Sequence, residues 1–214
     1  WAIYDSTYEN QQVSTFVGLG FVVTNAASTG ITGLEVDWKW QATDNLMVGA
    51  NIALNDGAYN AFPGAACTAL QASDLAGGAT SSGSCVAEIA PDGTQIGISQ
   101  NLAGGQQGTK HSGALMADYS RSVMGGLLWI SSIDVNFTDG YFMTGDLDPI
   151  DYQDGFTKTN LRTSLRGENW TAMLYGKNVT DERVATGAAD VPLSSGSHFQ
   201  YGFEGAVWGA SLSY

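Results

Sequence analysis

No run of about 18 apolar residues occurs anywhere in the chain, so it offers no candidate transmembrane helix. Charge is scarce too: charged residues make up 14% of the 214, against roughly 25% in an ordinary soluble domain. Positive charge is scarcest, with Lys+Arg 8 against Asp+Glu 21 and a formal net charge of −13. That balance argues against a nucleic-acid partner, because phosphate binding needs a Lys/Arg surface. It also argues against docking on an anionic lipid surface. Histidine and cysteine number two each. No His/Asp/Ser or Cys/His arrangement with telling spacing exists, so neither an enzyme nor a bound cofactor is expected. Aromatics, by contrast, are plentiful (Trp 6, Tyr 9, Phe 8), which excludes a disordered acidic chain.

What is present is alternation. Leu46, Val48, Ala50, Ile52 and Leu54 fall on one face of the stretch 46–55. Met47, Gly49, Asn51, Ala53 and Asn55 fall on the other. Side chains in a strand alternate with period two, so this is a strand with one greasy and one wet side. About ten residues suffice to cross a bilayer at a tilt of roughly 45°. A mean hydropathy of −0.05 fits this reading, since only alternate barrel residues touch lipid.

The pattern predicts further strands. The first covers 1–17, with an interruption at Tyr8-Glu9-Asn10. The second covers 21–40, with a bend or loop at Ser28-Thr29-Gly30. A turn at Thr43-Asp44-Asn45 leads into 46–55, and an irregular segment then runs to Gly108. Strands at 109–121 and 127–138 flank a turn at 122–126; a loop follows at 143–155. In the sixth strand Leu161 and Leu165 oppose Arg162 and Arg166; a turn at 167–169 leads to a strand at 170–179 whose faces are not distinguished. A loop at 185–197 precedes the last strand, ending Trp208–Tyr214. Short turns at 43–45, 122–126 and 167–169 would face the periplasm. Long loops near 25–30, 56–108, 143–154 and 185–197 would face outside. Aromatics near strand ends (Trp38, Trp40, Tyr119, Trp129, Tyr141, Phe142, Trp170, Trp208, Tyr214) suit the girdles of such a barrel.

Cys67 and Cys85 share one Gly/Ala/Ser-rich segment with no His or Cys at metal-ligand spacing, so a disulfide in an oxidising compartment is expected. Asp146, Asp148, Asp151 and Asp154 put four carboxylates in nine positions. A hard cation such as calcium takes six to eight oxygens, but the spacing is not that of an EF-hand and Pro149 constrains it. A solvated acidic loop with no metal is the expected state, the four aspartates being only weak ligand candidates. His111 and His198 read as polar residues at loop boundaries. Asn51, Asn55, Asp134, Asn136, Arg162 and Arg166 are the candidates for the wet face. In a wide barrel the two arginines would meet a plug domain or an anionic ligand. In a small closed one they would pair with Glu35, Asp37 or Asp134.

Three segments resemble the C-terminal barrel region of TonB-dependent outer-membrane receptors. The first is Val22-Val23-Thr24-Asn25-Ala26-Ala27 with Gly33-Leu34-Glu35-Val36-Asp37-Trp38 and the turn Ala42-Thr43-Asp44-Asn45-Leu46. The second runs from Asn160-Leu161-Arg162 to Leu165-Arg166-Gly167-Glu168-Asn169-Trp170. The third is Tyr175-Gly176-Lys177-Asn178-Val179-Thr180-Asp181-Glu182, and Gly209–Tyr214 is similar to the family's last strand. Asn25, Gly33, Glu35, Asn178 and Asp181 are the motif residues. The resemblance implies an all-β antiparallel transmembrane β-barrel, with 1–214 as about the last eight strands of a 22-stranded barrel, and no plug domain in the chain. It implies uptake of a large scarce ligand (siderophore, cobalamin, glycan or peptide) in a Gram-negative outer membrane. Partners would be outer-membrane lipid, further barrel strands, and the TonB energy-transducing complex through a plug. The chain opens on Trp1-Ala2-Ile3-Tyr4, which reads as mid-strand, so a mature or truncated chain is expected. Two other readings stay open: a self-contained small outer-membrane barrel with an anchoring role, and a soluble β-sandwich glycan-binding module.

Overall fold

The computed structural model describes residues 1–17, 20–191, 194 and 196–214. Eight strands form one sheet: β1 (Ala2–Val17), β2 (Gly20–Thr43), β3 (Leu46–Ala61), β4 (His111–Val123), β5 (Leu127–Thr138), β6 (Phe156–Arg166), β7 (Thr171–Lys177) and β8 (Val207–Ser213). They lie side by side in chain order, each antiparallel to the next. No pairing joins β1 to β8 among the described residues, so both are sheet edges.

The register sorts the side chains into two faces. Residues directly opposite in an antiparallel pair point the same way. Ile3, Leu34 and Leu54 are aligned, as are Val36 with Ile52, Trp38 with Ala50 with Leu115, and Trp40 with Val48. Leu115 continues to Val135, Ala117 to Ile133 to Leu161, and Trp129 to Leu165. Ala172, Leu174 and Gly176 then meet Leu212, Ala210 and Trp208, which resolves the two faces of β7. The result is an apolar band running unbroken from β1 to β8. Its members include large exposed hydrophobics: Trp38, Trp40, Leu54, Leu115, Trp129, Ile133, Leu161, Leu165, Leu174, Trp208 and Leu212. An exposed apolar surface this continuous marks a face that contacts membrane or protein.

The band has a defined height. Above Ile3, Leu34 and Leu54 the same face turns polar at Asp5, Thr32 and Asp56, and Thr32 donates to the Asp5 carboxylate at 3.4 Å. From Leu46 to Leu54 is the roughly nine residues that a tilted strand needs to cross a bilayer. Hydroxyls do lie in the band, at Ser131, Thr159 and Thr163. Ser131 and Thr163 bond each other at 2.7 Å, and Trp129 Nε1 donates to Thr163 at 2.8 Å. Ser131, Thr163 and Trp129 thus satisfy one another without water.

One end of the sheet is trimmed and the other is tall. Turns at 44–45, 124–126 and 167–170 close the near end, and the C-terminal residue lies there too. Gly125 and Gly126 take φ of 76° and 75°, which fits glycine at a tight reversal. Trp40, Tyr119, Trp129, Trp170 and Tyr214 gather at this end; Tyr119 and Trp129 meet edge-on at 5.5 Å. The far end carries long extensions. At about 3.3 Å per residue, the 24-residue β2 runs for roughly 80 Å.

Several expected boundaries shift. The loop expected near 25–30 is strand: β2 passes through it, and the anticipated bend is a register slip between Ser28 and Thr29 opposite β3. Tyr8-Glu9-Asn10 does not break β1; Asn10 takes φ 56° within it, which Asn tolerates. The segment 55–108 is not irregular. β3 continues to Ala61, and beyond it come an α-helix, α1 (Ala69–Ala76), and a three-stranded sheet of Ser81–Ser82, Cys85–Ile89 and Gln95–Gln100. Thr68 starts α1 with a capping box, its hydroxyl accepting from Gln71 N and its N–H donating to the Gln71 side chain. Cys67 and Cys85 form a disulfide there. The loop expected at 185–197 includes residues 192, 193 and 195, which lie outside the described residues; Ala185–Asp190 in it is a strand, paired with His198–Gly202. A small cluster of Val13, Tyr59, Phe62 and Ala65, with Leu102 and Leu147 against it, packs the tall extensions together.

Candidate functional site

Two places gather the residues that could carry function: the polar face of the sheet and the crown of loops above its far end.

The polar face holds all six candidates read from the sequence. Asn51 lies opposite Asp37 and Ala114, and Ala114 opposite Asn136. Asp134 lies opposite Asn160, Arg162 opposite Ser132 and Tyr175, Arg166 opposite Thr171, and Asn55 opposite Gly33. Arg162 pairs with Asp134 at 3.4 Å, both half-exposed. Ser132 donates to the Asp118 carboxylate. Tyr4 donates to Asn55, its ring crossing the backbone at Gly33, where a Cβ would stand 2.4 Å from the ring. Glycine is therefore needed at this motif position by a close approach. Glu35, two residues on, shares the face and lies opposite Ala2 and Ala53. Asn25 is exposed in the tall part of β2, opposite Gln12.

Asn178 and Asp181 do a different job. Asn178 is buried, with φ 48°. Its side chain donates to the carbonyls of Glu182 (2.9 Å) and Glu204 (3.0 Å) and accepts from Glu182 N at 3.1 Å. Its own N–H donates to Asn160 Oδ1 at 2.9 Å. Asp181 accepts from Ala206 N at 2.8 Å and pairs with Arg183 at 3.6 Å. Together they clamp the base of the 178–206 loop, bringing the end of β7 to the start of β8.

In the crown, the aspartate-rich loop departs from expectation. It is not solvated: Asp146, Asp148 and Asp151 are 6%, 3% and 1% exposed, and only Asp154 faces solvent. Pro149 explains the fold of the segment. It opens a 3₁₀ turn at Pro149–Asp151, with Asp148 capping it by accepting from Ile150 N at 2.9 Å. That turn directs Asp148 and Asp151 inward. His198, expected at a loop boundary, is 6% exposed and sits among them. Its Nδ1 lies 3.3 Å from Asp151 and 3.2 Å from Asp190; its Nε2 lies 3.9 Å from Asp148. Burial pushes the carboxyls of Asp146, Asp151 and Asp190 above the usual range; His198 opposes the shift at the latter two. His111 fits its expected place, exposed and 3.6 Å from Asp139. Asp190 and His198 escaped sequence reasoning because they stand some forty residues from the aspartate run. Gln100 links this loop to the disulfide-bearing one, donating to the carbonyl of Ala66 (2.6 Å) and of Asp146 (3.4 Å).

No protein-family model matches the chain, and no curated protein matches it in sequence. Solved structures do match its fold. The siderophore receptor PiuA from Acinetobacter baumannii superposes with a TM-score of 0.59 at 16% identity, over 99% of this chain and 25% of that one. The ferric yersiniabactin uptake receptor FyuA from Yersinia pestis gives 0.56 at 11% identity, over 98% and 24%. The chain thus spans about a quarter of the length of the solved structures it matches. At these identities the likeness is one of fold, and it agrees with the two-faced antiparallel sheet.

Proposed function

We propose that this chain is the C-terminal wall of a TonB-dependent outer-membrane receptor of a Gram-negative bacterium, which takes up a large scarce ligand. The observation that carries this is the pair of edges, β1 and β8, left unpaired among the described residues on a sheet that carries a continuous apolar band on one face. Each unsatisfied backbone group in lipid costs several kcal/mol, so the sheet calls for further strands beside it. A self-contained eight-stranded barrel would need β1 on β8. A soluble sandwich would need a second layer over the apolar band.

In this reading the polar face, with Arg162, Asp134, Asn51, Asn55, Asn136 and Arg166, lines the lumen and meets the plug or the passing ligand. The crown offers the outer binding surface. Transport, not catalysis, is the role, with energy arriving from the TonB complex through the plug. One matched structure is named a siderophore receptor and the other a ferric yersiniabactin uptake receptor, so an iron chelate is the first ligand to try.

The test has two parts. The denatured polypeptide extracted from outer membranes should have a mass several times 22.4 kDa. Cells lacking its gene should lose energy-dependent uptake of one radiolabelled ligand among iron chelates, cobalamin and glycans. A polypeptide near 22.4 kDa, or uptake of all of them unchanged by the deletion, would sink the proposal.

A further inference from the structure

The crown buries more negative charge than it balances. Asp148, Asp151 and Asp190 converge on one imidazole with Asp146 buried beside them, and among the described residues no Lys or Arg pairs with any of the four. Isolated buried charges are costly unless paired or bound to metal. Four polar atoms, each on a side chain at least nine-tenths buried, have no hydrogen-bond partner among the described residues: Asp146 Oδ1, Asp148 Oδ2, Asp151 Oδ1 and His198 Nε2. A well-packed protein rarely leaves several such atoms in one place.

The geometry around His198 has a direction. Nδ1 faces Asp151 and Asp190 at hydrogen-bonding range, and Nε2 faces Asp148 Oδ2 at 3.9 Å, too far for a hydrogen bond. Proteins that bind metal through histidine use this arrangement: one ring nitrogen donates to a carboxylate and the other presents its lone pair to the ion. Ligand atoms of Asp148, Asp190 and His198 all lie within 4.8 Å of one another. An ion about 2.1 Å from each donor holds donors no more than about 4.2 Å apart, so the three side chains close in by a few tenths of an ångström to bind it.

From these observations we propose that Asp148, Asp190 and His198 bind one divalent transition-metal ion, of the zinc class, the imidazole ligating through Nε2 while Asp151 holds Nδ1 and Asp190 turns from Nδ1 to the ion. The donor set selects the class. Calcium and magnesium take oxygen ligands, whereas imidazole with carboxylate suits zinc and its first-row neighbours. The ion joins two loops that are far apart in sequence, since Asp148 belongs to the loop between β5 and β6, and Asp190 and His198 to the one between β7 and β8. It is a fastening of the crown that does not depend on the transport reading.

The test uses the intact protein in detergent, stripped with chelator and titrated with zinc against a chromophoric competitor. Wild type is expected to bind one more equivalent than His198→Gln and Asp190→Asn, each weakening that site at least 100-fold. Asp154→Asn, on the exposed aspartate, should bind as wild type does. Cobalt should give visible d–d absorption in wild type that both site variants lose while keeping the wild-type circular dichroism spectrum. Equal zinc stoichiometry in wild type and both variants overturns the site, as does no binding by wild type. Displacement of zinc by millimolar calcium overturns the assignment of metal class.

Discussion

Asn178 Nδ2 donates to the backbone carbonyl of Glu204 at 3.0 Å, across 26 residues of loop. One side chain thus fixes both ends of that loop, and its left-handed backbone, φ 48°, is one that Asn adopts more readily than most residues. Asn178→Ala should strand the Glu182 and Glu204 carbonyls, at roughly 1–3 kcal/mol for a buried unsatisfied group, and strain the backbone by about 1–2 kcal/mol. Protease treatment of whole cells should then nick the 178–206 loop far faster than in wild type, with nicking elsewhere unchanged.

The disulfide predicts a similar effect in another loop. Cys67 and Cys85 are 18 residues apart, and closing a loop of that size is worth about 3 kcal/mol in the chain-entropy model. Wild-type protein should take up no maleimide on this segment until reductant is added. The double variant Cys67→Ser with Cys85→Ser should open the 62–110 region to protease while leaving strand content unchanged by circular dichroism.

Charge should be tolerated by face. Ile133 sits at mid-height on the apolar band, between Ala117 and Leu161. Ile133→Arg should cost roughly 2–4 kcal/mol in folding from urea into lipid vesicles. Met116→Arg, opposite Asp134 on the other face, should cost far less.

The Arg162–Asp134 pair is half-exposed at 3.4 Å, so its coupling should be small. A double-mutant cycle with Arg162→Met and Asp134→Asn should return under about 1 kcal/mol. A much larger value would mean that the pair is enclosed in the assembled barrel.

Period-two alternation made the sheet legible, because each strand needs only its own residues to declare two faces. The β5 boundaries, Leu127 and Thr138, came directly from it. Alternation failed where tertiary contact decides. Ser28-Thr29-Gly30 looks like a turn by composition, yet pairing with β3 holds it extended with a slip in register. The crown was illegible for the same reason. Nothing local to Asp146-Leu147-Asp148 distinguishes a wet acidic loop from a buried one. Asp190 and His198, brought in by a distant hairpin, make the difference. The role of Asn178 was also beyond sequence, since its partner Glu204 is set by loop closure alone.

The central claim is that the sheet is a membrane wall with lipid on one side only. This chain has no free cysteine, so spin labels can be attached at introduced ones. Leu115, Leu161 and Leu212 probe the apolar face; Met116, Asn160 and Ser211 probe the other. In lipid vesicles containing the intact protein, the account predicts high collision with oxygen and low collision with a water-soluble nickel chelate at the first three, and markedly lower oxygen collision at the second three. Equal accessibility on both faces, or a protein that stays out of the vesicles, would contradict it.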